Sequence, residues 1–307
     1  LWKHGEADAA IAQYKVALEL APNFPEAHRN LGAALAATGN IEEAVSHYKE
    51  AVRLKPDFAA AYNDLGLALG AQAKFDEAEA AFRKVIELNS DPRMVAYAQN
   101  NLGRVLMQQG RPQDAVRLFQ QALANPAYDT PELALANLAE ALLALDRYAE
   151  AVAKYDEALR IAPGNATIHY QLANALWNHG ELDRAAAEFR ETIRLDTHPQ
   201  ATAYAHNNLG LVLMAQDKLD EAIAEFRAAL ACLAYDTPAL AHTNLADAME
   251  RKGDIAGALA ERREVIKLTP GDPRARYYLA SLLLRQGQLA EAETEYRRTI
   301  EIGTDLW

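Results

Sequence analysis

The sequence predicts an all-α fold, an α-solenoid of antiparallel helix pairs with eight full repeats and a leading partial one. The first observation behind this prediction is a Leu followed by Gly or Ala that recurs along the 307 residues. It stands at Leu31, Leu65, Leu102, Leu138, Leu172, Leu209, Leu245 and Leu279. The second observation is the spacing of these positions, 34, 37, 36, 34, 37, 36 and 34 residues, a pattern that returns after 107 residues and indicates a duplicated three-repeat block.

The longer period is also visible in the letters of the sequence. Tyr97–Gly103 closely matches Tyr204–Gly210, and Tyr128–Ala134 closely matches Tyr235–Ala241. Because each repeat of a solenoid contacts only its neighbours, chain length counts repeats here, and we expect one continuous body over residues 1–307. The expected units are a partial repeat at 1–24 and full repeats at 25–58, 59–92, 93–131, 132–165, 166–199, 200–238, 239–272 and 273–307.

Within each repeat, apolar residues follow helical spacing in two consecutive stretches. In residues 25–56, one stripe contains Leu31 and a second contains Val45 and Tyr48. Gly39 lies between the stripes, and a Gly can adopt the left-handed conformation that ends a helix. The spacing therefore predicts two amphipathic helices that turn back on each other.

The first helices of the longer repeats carry a start signal. Asp91-Pro92, Thr130-Pro131 and Thr237-Pro238 each place a potential capping residue before a Pro, which is favoured at the first helical position. We expect these helices to begin early. Asn165, in the triplet Asn165-Ala166-Thr167, either caps the helix that follows or forms an N-glycosylation acceptor.

The repeat resembles the tetratricopeptide repeat family. The residues that carry the resemblance are Leu31-Gly32, Gly39, Ala44, Tyr48, Ala51 and Pro56, and again Leu138-Ala139, Ala151, Tyr155, Ala158 and Pro163. The resemblance covers essentially the whole chain and implies a right-handed superhelix, with first helices lining a concave groove. The departures from its pattern are Ala73, Asp146 and Asp217 in place of the turn Gly, and Arg262 in place of the second-helix aromatic.

A row of polar residues stands directly before each repeated Leu, and we call this the ladder position. Its occupants are Asn30, Asp64, Asn101, Asn137, Gln171, Asn208, Asn244 and Tyr278. An amide offers an acceptor and donors together, so it can match a peptide backbone regardless of the peptide's side chains. With first helices about 8–10 Å apart and an extended chain rising about 3.3 Å per residue, each repeat could hold about three ligand residues.

The ladder is similar to the asparagine ladder in the tetratricopeptide superhelix of O-linked N-acetylglucosamine transferase. That resemblance implies backbone contacts to a protein substrate. Aromatic residues predicted on the same face, Tyr97, Tyr170, Trp177 and Tyr204, are further candidates for a peptide-binding groove. The alternative is that the amides satisfy neighbouring helices and that the aromatics belong to the core.

Composition and motif searches point away from other classes. The net charge of −12 indicates no basic surface for nucleic acid, and no apolar run approaches the roughly 20 residues of a membrane span. The sequence has no phosphate loop or nucleophile elbow, so we expect no enzymatic activity, no cofactor and no metal. The His residues that share one repeat position, His28, His169, His206 and His242, are interpreted as packing at the helix interface.

The only cysteine, Cys232, is interpreted as a small buried hydrophobic residue, and its presence does not assign a compartment. We therefore predict a non-catalytic scaffold whose groove binds an extended peptide. One alternative is head-to-tail self-association through the terminal repeats. It is suggested by the alignment of residues 1–5 with 176–180 and by the apolar residues Ile302 and Trp307, which we expect to be covered by another surface. Another is a substrate-recognition arm of an enzyme or assembly factor whose other domains lie outside this segment.

Overall fold

The computed structural model describes residues 4–195 and 198–304, and in this part of the chain all regular structure is α-helical. The expectations for Leu1–Lys3 and for Trp307 lie outside the described residues. The helices are α1 His4–Leu20, α2 Pro25–Ala37, α3 Ile41–Leu54, α4 Ala59–Ala71, α5 Phe75–Leu88, α6 Pro92–Gln108, α7 Pro112–Leu123, α8 Pro131–Leu143, α9 Tyr148–Ile161, α10 Ala166–His179, α11 Leu182–Leu195, α12 Pro199–Ala215, α13 Leu219–Ala231, α14 Pro238–Lys252, α15 Ile255–Leu268, α16 Pro273–Arg285 and α17 Leu289–Thr304. Gly5, aligned by sequence with the turn residue Gly180, lies inside α1, where no described helix precedes it.

The helices group into two compact units, Leu1–Pro163 with α1–α9 and Gly164–Trp307 with α10–α17. In the first unit, α2 packs on α3, α4 on α5, α6 on α7 and α8 on α9. Successive first helices also touch, α2 with α4, α4 with α6 and α6 with α8. The second unit repeats this scheme in the pairs α10/α11, α12/α13, α14/α15 and α16/α17, so each unit is a stack of helix hairpins.

Left-handed residues end the first helices, as the sequence predicts. Gly39, Gly110, Gly180, Gly253 and Gly287 have positive φ in these turns. Ala73, Asp146 and Asp217, which replace the turn Gly in their repeats, also adopt positive φ, at 57°, 57° and 61°. The turn geometry therefore persists where the sequence does not supply the residue that adopts it most easily.

The departure at Arg262 is accommodated by an ion pair rather than by packing of a ring. Arg262 is buried between α14 and α15, and its guanidinium pairs with Asp247. It also lies over the Tyr278 ring, 5.1 Å from the centroid. Burial raises the pKa of Asp247, and the facing Arg262 opposes that shift.

Only two of the four predicted capping residues cap their helices through their side chains. Asp91 caps α6 by accepting from the Arg93 N–H, and Asn165 caps α10 by accepting from the Ile168 N–H. Thr130 and Thr237 do not cap through their side chains, contrary to expectation. Their ψ values of 54° and 49° depart from the extended backbone that usually aims a capping side chain at the first turn.

The extra residues of the longer repeats form boundary turns that pack against the preceding first helix. In the first unit, Asn125 donates to the Pro92 carbonyl at 2.7 Å and accepts from the Ala127 N–H at 3.0 Å. Cys232 stands 107 residues further on, and its thiol donates to the Pro199 carbonyl at 3.1 Å. Cys232 packs against the cluster of Ala203, Ala229, Tyr235 and Ala241 but is only partly buried, which corrects the expectation of a buried residue, because it lies at the C-terminal end of α13.

Candidate peptide-binding site

The ladder residues all lie on first helices, each directly before a buried Leu. Within the first unit they are Asn30 on α2, Asp64 on α4, Asn101 on α6 and Asn137 on α8; within the second they are Gln171 on α10, Asn208 on α12, Asn244 on α14 and Tyr278 on α16. Asn244 is buried and Tyr278 is exposed, whereas the other six are half-buried. The repeated Leu, for example Leu31, is fully buried in the core. Because neighbouring residues of a helix point in different directions, the ladder residue before it lies at the edge of that core.

A second position, two residues before each repeated Leu and polar in most repeats, pairs with the ladder residue of the next repeat at four junctions. We call it the preceding position. In the first unit, Nε of Arg29 donates to the Asp64 carboxylate at 2.7 Å, and Nδ2 of Asn137 donates to Oδ1 of Asn100 at 2.9 Å. Burial raises the pKa of Asp64, and the Arg29 charge opposes that shift.

The second unit uses the same two positions. Nδ2 of Asn208 donates to the Tyr170 hydroxyl at 3.0 Å, and Nδ2 of Asn244 donates to Oδ1 of Asn207 at 2.9 Å. Asn208 also donates to Oδ1 of Asn174 at 3.2 Å. Much of the ladder therefore joins successive repeats, a role that the sequence offered only as the alternative to ligand binding.

Two ladder amides remain outside this network. Asn30 and Asn101 make no side-chain hydrogen bond to any residue in 4–195 or 198–304. Between the preceding residue Asn63 and the next ladder residue Asn101 the inter-repeat bond is missing, and Oδ1 of Asn63 is buried without a hydrogen-bond partner. Gln171, by contrast, has an interaction partner.

The four aromatic candidates occupy different environments. The Tyr97 hydroxyl donates to Asp129 and the Tyr204 hydroxyl to Asp236, so each ties its helix to the next boundary turn. Both rings also meet a neighbouring Tyr edge-on, with centroids 5.3 Å apart. Tyr170 lies in the hydrogen-bonded ladder, and Trp177 is half-buried on α10. Only Tyr170 is thus brought directly to the amides.

The shared His position lies at the interface between the two helices of a hairpin. Nδ1 of His169 lies 2.6 Å from Oε2 of Glu188, and His206 and His242 make the same contact with Glu225 and Glu261. His28 instead faces His47. No three His, Cys, Asp or Glu residues of the described chain are grouped so that they could hold a metal ion.

None of the helices in 4–195 and 198–304 combines the length and apolar character needed to cross a membrane. Sequence reasoning missed the preceding position as the bonding partner of the ladder. A signal was available, because Asn63, Asn100 and Asn207 are themselves polar neighbours of ladder residues.

Comparisons with known proteins agree with the helical repeats. Cellulose synthase 1 operon protein C of Komagataeibacter xylinus is 30% identical over 202 residues, which cover 62% of this chain and 15% of that protein. The chain thus spans about 15% of the length of this curated relative.

Among solved structures, PilF of Pseudomonas aeruginosa superimposes with a TM-score of 0.58 at 20% identity, covering 68% of this chain and 91% of that one. PilW, described as a widely conserved type IV pilus biogenesis factor, superimposes with a TM-score of 0.62 at 19% identity, covering 70% of this chain and 96% of that one. At these identities the likeness concerns the fold alone.

Family models extend over nearly the whole chain. The model described as "Tetratricopeptide repeat" matches residues 63–130, 100–166, 170–237 and 243–305, and that described as "TPR repeat" matches 2–39 and 34–73. The chain belongs to the tetratricopeptide repeat family.

Proposed function

We propose that the chain is a non-catalytic protein-interaction scaffold whose first helices bind an extended peptide segment. The observation that carries the proposal is that the ladder amides are only partly used inside the protein. Asn30 and Asn101 form no internal side-chain bond among the described residues, and Asn137 uses its Nδ2 while no described residue donates to its Oδ1. These groups remain available for the N–H and C=O groups of a bound backbone.

The inter-repeat hydrogen bonds also favour peptide binding at a ladder residue that keeps one polar atom for a ligand, as Asn137 does. A side chain held by one hydrogen bond has already lost rotamer freedom, so the ordering cost of a second bond to a ligand is smaller. The similarity of the ladder to that of O-linked N-acetylglucosamine transferase supports the same reading. The spacing of about three ligand residues per repeat follows from the separation of packed helices and the rise of an extended chain.

The proposal is tested with peptides selected from a random phage-displayed library on the full chain. Their dissociation constants are measured by fluorescence polarisation for the wild type and for a variant carrying Asn30→Ala and Asn101→Ala. We expect binding to weaken by about 1–3 kcal/mol, the effect of losing two hydrogen bonds. Gln113→Ala on the exposed side of α7 is the matched control and should leave affinity unchanged.

A second measurement uses the same peptides with N-methylated backbone amides. Methylation removes the backbone donors but leaves all side chains, so affinity should fall at positions about three residues apart. Unchanged affinity in both the protein variant and the methylated peptides would contradict backbone capture through the ladder.

Head-to-tail self-association is an alternative, favoured by apolar side chains on α17. Leu289 is 63% exposed and Ile300 is 65% exposed. Negative-stain electron microscopy across a concentration series separates the two functions. Filaments that disappear with Leu289→Glu and Ile300→Glu would favour self-association, whereas discrete particles at every concentration would count against it.

A further alternative is an arm that recognises partners for a larger enzyme or assembly factor. It is favoured by the similarity to 15% of the length of cellulose synthase 1 operon protein C. The full-length gene tests this alternative directly, because a catalytic or assembly domain joined to the repeats would support it and a gene encoding only repeats would not.

A further inference from the structure

The first unit contains an open cleft between α4, α5 and α6. Its volume is about 380 Å³, within the range of small ligand pockets. The apolar part of its lining includes Leu67, Phe75 and the buried ring of Phe82. Gly70 also borders the cleft, and a Cβ built on Gly70 would meet no heavy atom within 4 Å. The cleft therefore has room for a bulky apolar side chain.

One wall of the cleft is a row of polar side chains on α6. Asn101, Arg104 and Gln108 follow each other at i, i+3 and i+7, which places them on one face of the helix. None of the three makes a side-chain hydrogen bond or ion pair within the described chain. Arg104 is exposed, so the row presents amide groups and an uncompensated guanidinium beside the apolar surface.

The cleft lies at the junction where the inter-repeat hydrogen bond between Asn63 and Asn101 is missing. Asn101 is the ladder residue that Asn63 does not reach, although the equivalent amides Asn100 and Asn137 are bonded one repeat further along. Of the three junctions in the described chain at which both positions carry an Asn, only this one lacks the bond between them.

The duplicated block gives an internal comparison, because residues 107 positions apart occupy equivalent places in the repeats. Gly70 corresponds to Trp177, Leu67 to Asn174 and Arg104 to Leu211. Asn208, the equivalent of Asn101, is bonded to both Tyr170 and Asn174. At the equivalent place in the second unit, the ladder amide is therefore hydrogen-bonded, a Trp ring stands in place of Gly70, and an uncharged Leu stands in place of Arg104.

We propose that this cleft binds a large apolar side chain of an extended partner segment, while a neighbouring Asp or Glu side chain of that segment pairs with Arg104. The proposal rests on the proposed function and specifies the partner: a peptide with an aromatic or large aliphatic residue close to a carboxylate. Arg can bind a carboxylate through two parallel N–H donors, and Asn101 and Gln108 can bond the backbone on either side.

The polar row favours a segment that passes through the cleft over one that ends there. Donors continue on both sides of Arg104, so the carboxylate is assigned to a side chain and not to a peptide C-terminus.

The test starts with 12-residue peptides selected from a phage-displayed library on the full chain, without counter-selection, and their dissociation constants are then measured for the wild type and for Gly70→Trp, which copies the second unit. The selected peptides are synthesised with acetylated and amidated ends, so that only side chains carry carboxylates. Gly70→Ala, which leaves the cleft open, is the matched control. We expect sequences with an aromatic or large aliphatic residue next to Asp or Glu, bound at least about tenfold more weakly by Gly70→Trp.

A second variant, Arg104→Leu, copies the second unit at an exposed position and does not depend on filling the cleft. It should weaken binding about tenfold and remove most of the salt dependence, while Arg104→Lys should retain part of both. Replacing the peptide's Asp or Glu by Asn or Gln should have little further effect in Arg104→Leu. Peptides that bind Arg104→Leu as tightly as the wild type, or only with a free C-terminus, would overturn the proposal.

The outcomes distinguish binding in the cleft from peptide capture through the ladder. Peptides that bind wild type and Gly70→Trp equally but lose affinity in the Asn30→Ala and Asn101→Ala variant would refute the cleft and leave the ladder function standing. A failure to select any peptide on the wild-type chain would count against both.

Discussion

Gly103 lies directly beneath the ring of Phe119, so close that a Cβ built on Gly103 would stand 2.5 Å from Cε1 of the ring. This contact joins α6 to α7 at the point where the two helices of the hairpin approach. The same relationship links Gly32 with Tyr48, Gly66 with Phe82 and Gly210 with Phe226. In these four repeats, the Gly after the repeated Leu therefore leaves room for the ring across the hairpin and does not act as a turn signal.

Gly103→Ala should destabilise the protein, because the new methyl group must displace the fully buried Phe119 ring. We expect a loss of about 1–3 kcal/mol in the free energy of unfolding, the usual cost of overpacking a core. Urea-induced unfolding followed by circular dichroism measures it. The control is Gly70→Ala, also in a helix but with open space around the Cβ, which should raise stability by about 0.5–1 kcal/mol. Equal effects at both positions would contradict the steric explanation.

The effects of replacing Asn207 and Asn244 on the free energy of unfolding should be coupled, because the two side chains are bonded to each other. Asn207 is 2% exposed and Asn244 is 8% exposed, so removing either amide leaves a buried polar group without its partner. We expect Asn207→Ala and Asn244→Ala each to cost about 1–3 kcal/mol, and the double variant to cost less than the sum. A double-mutant cycle from urea unfolding measures the coupling. Additive losses would show that the 2.9 Å contact contributes nothing of its own.

Acidification should weaken the contact between α2 and α3 at His28 and His47, whose Nδ1 atoms lie 3.0 Å apart. Burial lowers the pKa of His47, and the His28 charge lowers it further; Glu43 and Glu50 oppose the shift and Lys15 adds to it. The unfolded chain therefore binds the proton more readily than the folded one. Stability from this group is fully present above the usual pKa of about 6.5 and is lost as pH falls below that value.

The measurement compares the melting temperatures of wild type and His47→Gln between pH 7.5 and pH 5. The two proteins share all other titrating groups, so the difference isolates His47. We expect the wild type to lose more stability on acidification than the variant. A difference that is constant over this range would contradict the prediction.

Cys232→Asn should stabilise the boundary turn of the second unit. At the equivalent place in the first unit, Asn125 makes two bonds, to the Pro92 carbonyl and from the Ala127 N–H, whereas the Cys232 thiol contacts only the Pro199 carbonyl. We expect a gain of about 0.5–1.5 kcal/mol, the net value of one added hydrogen bond. Thermal unfolding measures it, and Asn125→Cys should produce a loss of similar size. A loss of stability in both variants would show that the two turns are not equivalent.

The hairpins could be predicted from local sequence because each depends on residues close together in the chain. The stripe around Leu31, the stop at Gly39 and the ring of Tyr48 lie within one repeat, and the structure confirms all three. The left-handed residues Ala73, Asp146 and Asp217 could also be placed, because the repeat alignment puts them where other copies have Gly. The buried Arg262 is explained only by Asp247 and Tyr278, which come from helices on either side of it.

The repeats, the helical hairpins and the polar character of the ladder could be predicted from the sequence, because periodicity and turn residues are properties of neighbouring positions. The partners of the ladder amides could not be predicted in this way: Asn137 bonds Asn100 of the previous repeat, while Asn101 has no such partner and borders a cleft opened by Gly70. A hydrogen bond depends on which side chain lies across the interface between repeats, and that is set by packing. Identical Asn residues therefore acquire different roles according to the side chains packed opposite them.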